Sequence, residues 1–273
     1  MGILFTDQAL GGAARREEKV SIEVTLVRNA TLVIRAWGKQ FLVDPMLSHK
    51  GAMEPVQNAA GTERIPLVGL PFTHQEVVRI IEETDAILLT HLHRDHWDEA
   101  ARSLIPKSKK IICQPADEAA LRGQGFTNTE PIREQGVFDG LPIHRTSGRH
   151  GRGEVGRAMG AVSGFLLNTG DRKVYVAGDT IFCREVEDTL SRFNPEIIVL
   201  NAGGAEFLQG GPIIMNAQDV ISVAQLAPAS KIICVHLEAL NHCLLSRAEL
   251  KKALKDAGIS NVIVPEDGAT ICI

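Results

Sequence analysis

The chain has 273 residues, 44% of them hydrophobic, and carries 29 Lys and Arg against 33 Asp and Glu for a formal net charge of −4. That length can bury a sizeable core and fits one large α/β domain over 1–273. An acidic balance with a pI of about 6.1 offers no basic stripe for nucleic acid, and no apolar run reaches the roughly 18 residues that a membrane span needs, so neither partner is expected.

Residues 1–20 hold Gly11-Gly12 and the charged run Arg15 to Lys19, and read as a loose arm. The stretch lacks the basic start and long apolar centre of a signal peptide, so a cytoplasmic location is expected; contact with a second copy of the chain, giving a homo-oligomer, is left open. Strand signals follow at Ile22 to Val27, Thr31 to Ala36 and Gln40 to Val43, the last running into Asp44-Pro45. Met46 to Pro71 then has scattered Gly and Pro without periodicity, a long connection that reads as a wall or lid over a site, with His49 and His74 as surface histidines. Beyond it the pattern alternates. A helical turn from Val77 to Glu82 leads to an apolar strand ending at Thr90, a helix near Trp97 to Leu104, a strand at Lys110 to Cys113 and a helix from Pro115 to Arg122. Strands are expected at Leu141 to Thr146, Val162 to Asn168, Lys173 to Ala177, Glu196 to Leu200 and Lys231 to Val235, with closing strands near Val262 and at Thr270 to Ile273. Helices are expected at Ala217 to Leu226 and Ser246 to Ala257, the latter opened by a Ser246/Glu249 capping-box pattern. The Gly-rich run Gly148 to Gly160 is not a phosphate loop, because no Gly-Lys-Ser/Thr follows it. The mixture indicates a layered α/β fold, and composition does not separate a doubly wound sheet from a helix-covered sandwich. Five cysteines without a C-x-x-C pair indicate neither a disulfide framework nor a zinc knuckle.

The segment Thr90-His91-Leu92-His93-Arg94-Asp95-His96-Trp97-Asp98 places three imidazoles and a carboxylate directly after an apolar strand. Imidazole with carboxylate suits zinc, manganese or iron. If His91 and His93 lie in the extended exit from the strand, period two sends both side chains one way, toward one metal, while Asp95 and His96, opening the following helix, turn toward a second. Four ligands cannot complete two sites. The candidates for completion share a context, a short strand ending in a ligand-capable side chain beside a turn: His150 between glycines, Asp179 in Ala-Gly-Asp-Thr, and His236 after Lys231 to Val235. Asp179 could bridge two metals or cap the next segment, and His242 is an alternative to His236. His144 lies inside a strand and reads as an ordinary histidine, and Asp44 is a candidate to support a ligand from behind.

The motif THLHRDHWD, then His150, then AGDT with Asp179, then His236, in this order, resembles the metallo-β-lactamase-fold metal-dependent hydrolase superfamily from about Ile22 to Ile273, with DHW and VHLEALNH most similar to the branch of ascorbate-6-phosphate lactonase-like proteins. The resemblance implies a four-layer αββα sandwich. It further implies two divalent metal ions, zinc by default with manganese or iron as alternatives, one held by His91, His93 and His150, the other by Asp95, His96 and His236, with Asp179 bridging.

Such a site lowers the pKa of water toward about 7 and polarises an electrophile. The expected function is therefore hydrolysis of a small anionic substrate, a lactone or a phosphoester, with Asp95 and Asp179 catalytic. The alternative is a non-hydrolytic redox or sensing protein on the same fold. Candidate substrate contacts are Asn201, which opens an Asn-Ala-Gly-Gly loop, Asn241 and His242 just past His236, and Arg149, with Arg152, beside His150.

Overall fold

The structure, a computed structural model, describes residues 21–170 and 172–273. The arm expected over 1–20 lies outside the described residues.

Fourteen strands are ordered along the described chain: β1 (Glu23–Arg28), β2 (Thr31–Ala36), β3 (Lys39–Val43), β4 (Ala86–Leu89), β5 (Lys110–Cys113), β6 (Thr129–Pro131), β7 (Gln135–Phe138), β8 (Leu141–Ser147), β9 (Ser163–Asn168), β10 (Lys173–Val176), β11 (Ile197–Asn201), β12 (Lys231–Val235), β13 (Val262–Ile263) and β14 (Thr270–Cys272). They form two seven-stranded sheets, in the orders β14-β1-β2-β3-β4-β5-β6 and β13-β12-β11-β10-β9-β8-β7. The helices are α1 (His74–Glu83), α2 (Glu99–Leu104), α3 (Glu118–Gly123), α4 (Gly153–Met159), α5 (Arg184–Phe193), α6 (Ala217–Leu226) and α7 (Arg247–Asp256).

Strand periodicity makes this a sandwich. In β4, Ala86 and Leu88 face the core between the sheets, while Ile87 and Leu89 face outward beneath Val77 and Ile81 of α1 and Leu121 of α3. In β11, Ile197 and Val199 face the inner core, whereas Ile198 and Leu200 meet Val186 of α5, Val220 of α6 and Leu250 of α7. Central strands are thus covered on both sides, which is why they read as unbroken apolar runs rather than alternating ones. The result is the expected αββα sandwich.

Three of the four strands that lead into candidate ligands, β4, β10 and β12, belong to the parallel parts of the two sheets, while the fourth, β8, pairs antiparallel with both neighbours. β3, β4 and β5 run parallel, as do β10, β11 and β12. Their carboxyl ends, with that of β8, open at one edge of the sandwich, where loops can bring distant side chains together.

Several local expectations are corrected. Asp95 and His96 do not open a helix: they lie in a turn, and α2 starts only at Glu99 with Asp98 as its N-cap. Trp97 precedes that helix, buried against Phe126 with its indole N–H on Gln124. The expected helix from Pro115 is a 3-10 turn at Pro115–Asp117 followed by α3. The sequence reading passed over β6, β7, α4 and α5. α4 buries nothing and β7 is interrupted by Gly136, so these present a weak periodic signal, whereas α5 has Val186, Leu190 and Phe193 at helical spacing among charged residues, a signal that was present and overlooked.

Residues 46–71 form a fixed wall. Arg28, wholly buried, donates to the carbonyls of Met46, Ser48 and Val68. Asp98 accepts from the backbone N–H and the hydroxyl of Ser48, and Met46 and Ile65 pack on Ala239 and Leu240. No helix among the described residues is long and apolar enough to cross a membrane.

Candidate metal centre

The loop after β4 starts the site. Thr90 is fixed by Asp44, at the end of β3, whose carboxylate accepts from the Thr90 N–H at 2.8 Å and from its hydroxyl at 2.7 Å. The same Asp44 carboxylate lies 2.9 Å from Nδ1 of His96, leaving Nε2 of that ring to face inward. Asp44 therefore supports a histidine from behind, as expected. His91 Nδ1 is 3.0 Å from the Thr90 hydroxyl, and its Nε2, buried, has no hydrogen-bond partner.

The other contributions come from three separate strand ends. His150 follows β8, its Nδ1 donating to the Ile213 carbonyl at 2.8 Å and its Nε2 lying 3.3 Å from His93 Nδ1. Asp179 follows β10 across Gly178, whose φ of +69° and close approach to the Ser163 carbonyl, only 2.6 Å from where a Cβ would stand, require glycine. Asp179 does not cap a helix, since α5 begins beyond Cys183. His236 follows β12, its carbonyl so close to Gly203 that a Cβ there would stand 2.0 Å from it.

Two clusters of converging donor atoms result: His91, His93 and His150 in one, and Asp95, His96, Asp179 and His236 in the other, with the donor atoms of each within 4.8 Å of one another. Asp179 joins them. Its Oδ2 is 3.1 Å from His96 Nε2 and 3.4 Å from His150 Nε2, and its Oδ1 is 3.7 Å from His236 Nε2. Asp95 Oδ2 lies 3.2 Å from His236 Nε2 and 3.4 Å from His96 Nε2. The structure thus gathers all seven residues singled out in the sequence.

The electrostatics follow from this crowding. Burial opposes the charged form of Asp95 and Asp179, but the imidazoles of His96 and His236 outweigh it and hold both carboxyls well below the usual range. Burial likewise opposes a charged His96, yet Asp179, Asp95 and Asp44 raise it well above the ordinary value; His236 is raised in the same way, chiefly by Asp179. His91 goes the other way, pushed down by burial and by its neighbour His96, and His150 is lowered by burial. Buried carboxylates that need positive charge, beside neutral imidazoles with inward lone pairs and one orphaned ring nitrogen, are a donor set suited to divalent cations.

The candidate substrate contacts separate into different roles. Asn201 donates to Asp179 Oδ1 at 2.6 Å and so steers that carboxylate. Asn241 is turned away from such a role: its amide oxygen accepts from Val56 N–H and its amide nitrogen donates to the carbonyls of Val56 and Gly61, so it pins the 46–71 wall. Arg149 is engaged by Glu185 at 2.9 Å on the surface, and Arg152 is exposed. His242 is buried, stacked on Phe207 with ring centroids 6.2 Å apart, and its Nδ1 has no partner. Burial pushes its pKa down to about 4, so it is a neutral imidazole near pH 7, in the field of Asp95, His236, Asp179 and His150. His144 lies against Phe193, and His49 and His74 are exposed, as expected.

Sequence reading missed Asn29, Thr90 and Cys243. Asn29 joins the two ligand loops, and Cys243 Sγ lies 3.5 Å from His236 Nδ1. A positive φ at Asn29, Asp44 and His236, three of the eight non-glycine residues so placed among those described, marks backbone held away from its easy conformations at this edge. No sequence signal exposes that strain, although Asn next to a strand end hints at a left-handed turn.

Residues 39–237 match the family described as the beta-lactamase superfamily domain. The chain is 41% identical to UPF0173 protein YddR of Bacillus subtilis (strain 168), over 90% of this chain and 98% of that one. It is 38% identical to the solved isothiocyanate hydrolase from Delia radicum gut bacteria, with a TM-score of 0.85 over 91% of this chain and 98% of the other. It is also similar, at 34% identity and a TM-score of 0.87, to a solved protein described as a possible metal-dependent hydrolase from Veillonella parvula DSM 2008, covering 91% and 98% of the two chains.

Proposed function

Since the chain belongs to the beta-lactamase superfamily domain family, among metallo-β-lactamase-fold, UPF0173-like metal-dependent hydrolases, we propose that it hydrolyses a small electrophile at a dinuclear centre. The observation that carries this reading is the position of Asp179, whose two oxygens reach both clusters. His91, His93 and His150 would hold one cation; Asp95, His96 and His236 the other; Asp179 would be shared. Zinc is the first choice, with manganese or iron compatible with a site lacking thiolate. Bound there, the cations would supply Lewis acidity and make a water acidic enough to deliver hydroxide near neutral pH.

The protein's own groups would do the rest. Asp95 and Asp179 orient the water and take its proton, Asn201 holds Asp179 in register, and Asp44 with Thr90 fixes His96. His242 offers a neutral ring nitrogen to the substrate.

Beside His150 and His242 stands an apolar wall of Phe207, Ile213, Val155 and Met159. Arg149, one of the two arginines beside His150, is occupied by Glu185 and so less available to a phosphoester. This favours an uncharged electrophile with an apolar tail over a phosphoester, and a lactone is compatible with it. With the similarity to an isothiocyanate hydrolase, it puts isothiocyanates first. In that reaction the water oxygen adds to the central carbon of R–N=C=S, the water's two protons pass in turn to the nitrogen, and the C–N bond breaks to give R–NH2 and carbonyl sulfide. A cytoplasmic setting belongs to the same proposal.

The test is an activity screen of metal-replete protein against benzyl isothiocyanate, a γ-lactone and a phosphodiester, with amine release followed directly. The reading predicts amine and carbonyl sulfide from the isothiocyanate, abolished by chelation and restored by a divalent metal. Failure to hydrolyse any of the three with two metals bound, or turnover indifferent to chelation, would overturn it.

A further inference from the structure

The turn between β1 and β2 carries no ligand, yet it touches two of them. Asn29 is wholly buried there with a φ of +57°. Its backbone carbonyl accepts from the His236 N–H at 2.9 Å, and its side-chain amide donates to the Asp95 carbonyl at 3.1 Å. Asp95 and His236 belong to the same donor cluster, stand 141 positions apart in sequence, and meet at 3.2 Å through their side chains. One residue thus ties together the backbones of the two loops that must converge. The turn itself is anchored: Arg28 holds the 46–71 wall, and the Thr31 hydroxyl donates to the Asp44 carbonyl at 2.8 Å and accepts from Met46 N–H at 2.9 Å.

Chemistry explains the residue type. A left-handed φ is tolerated by Asn and Gly, but only Asn adds an amide donor for the Asp95 carbonyl. The Asn29 Oδ1 has no hydrogen-bond partner, so the donor bond is what this side chain contributes. Neither bond involves His91, His93 or His150.

We propose that Asn29 is a positioning residue that sets the second cation site, the one formed by Asp95, His96, Asp179 and His236, and leaves the His91, His93, His150 site untouched. The inference rests on the dinuclear reading above. Groups behind metal ligands typically govern affinity by about 10–100-fold, which sets the size of the expected effect.

The experiment titrates metal-free wild type, Asn29→Gly and Asn29→Asp with Co2+, following bound metal by mass spectrometry and the cobalt absorption bands. Gly keeps the backbone conformation and the carbonyl; Asp keeps the side-chain volume but sets an acceptor against the Asp95 carbonyl. Both variants are expected to fill the first site as the wild type does and to bind the second equivalent about 10–100-fold more weakly. A general structural role would weaken both sites together, and that result overturns the proposal. Unchanged affinity for the second equivalent in both variants overturns it too. A wild type that never takes up two equivalents would bring down the dinuclear reading and this inference with it; a wild type that binds two while the variants match it sinks the inference alone.

Discussion

At the scale of single residues, the site is defined by what each donor is denied elsewhere. His91 has one ring nitrogen beside Thr90 and the other orphaned in a buried space; His96 has one nitrogen on Asp44 and the other among two carboxylates. His93→Ala and Asp179→Asn should therefore lose bound metal and reduce hydrolysis by more than about 100-fold, while His144→Ala, whose ring packs on Phe193 away from both clusters, should retain metal and turnover. Metal content and rate measured on the same samples check this, and intact turnover with full metal content in either of the first two variants would contradict it. A second prediction concerns Asp117. Burial raises its pKa from 3.8 to about 6, with Gln114 opposing through a hydrogen bond. A raised folded-state pKa gives stabilisation that is complete below about 3.8 and lost as pH rises through about 6. Asp117→Asn, free of that titration, should be more stable than wild type at pH 8, by at most about 3 kcal/mol, and lose the advantage near pH 4. Melting curves at the two pH values decide it; an advantage that grows on acidification would have the wrong sign.

At the scale of elements, legibility followed periodicity. β4, β10, β11 and β12 were readable because strands buried on both faces leave unbroken apolar runs, and ligands follow the ends of β4, β10 and β12. α5 is the exception: its apolar residues Val186, Leu190 and Phe193 stand at helical spacing among charged ones, and the pattern was overlooked although it was there. α4 was hidden by glycines and buries nothing. The start of α2 was misplaced by the ligand motif itself: Asp95 and His96 look like helix-opening residues, but Asp98 takes the cap. The 46–71 segment was legible as an unusually long connection, whereas its fixed character depends on Arg28 and Asn241, whose partners are backbone groups no pattern reveals. Arg28→Met should strand the carbonyls of Met46, Ser48 and Val68, destabilising the protein by about 3–5 kcal/mol and opening the wall to proteolysis. Denaturant melts with limited proteolysis test this, and a variant as stable and as resistant as wild type would refute it.

At the scale of the whole molecule, the sandwich explains why ligands from four widely spaced segments meet. Each follows the carboxyl end of a strand, the central parallel strands of both sheets point to one edge, and loops there can satisfy their backbone groups without burying them unpaired. The order of the ligands along the chain was legible, as was the grouping that the family resemblance implies. The roles of Asn241 and Arg149 were not, because they depend on which way a side chain turns once the loop is built. The most direct measurement is anomalous diffraction from crystals of the protein loaded with zinc or manganese. Two peaks about 3.5–4 Å apart, one among His91, His93 and His150 and one among Asp95, His96 and His236, with Asp179 between them, are the predicted result; a single peak away from these side chains, or none after loading, would contradict the account.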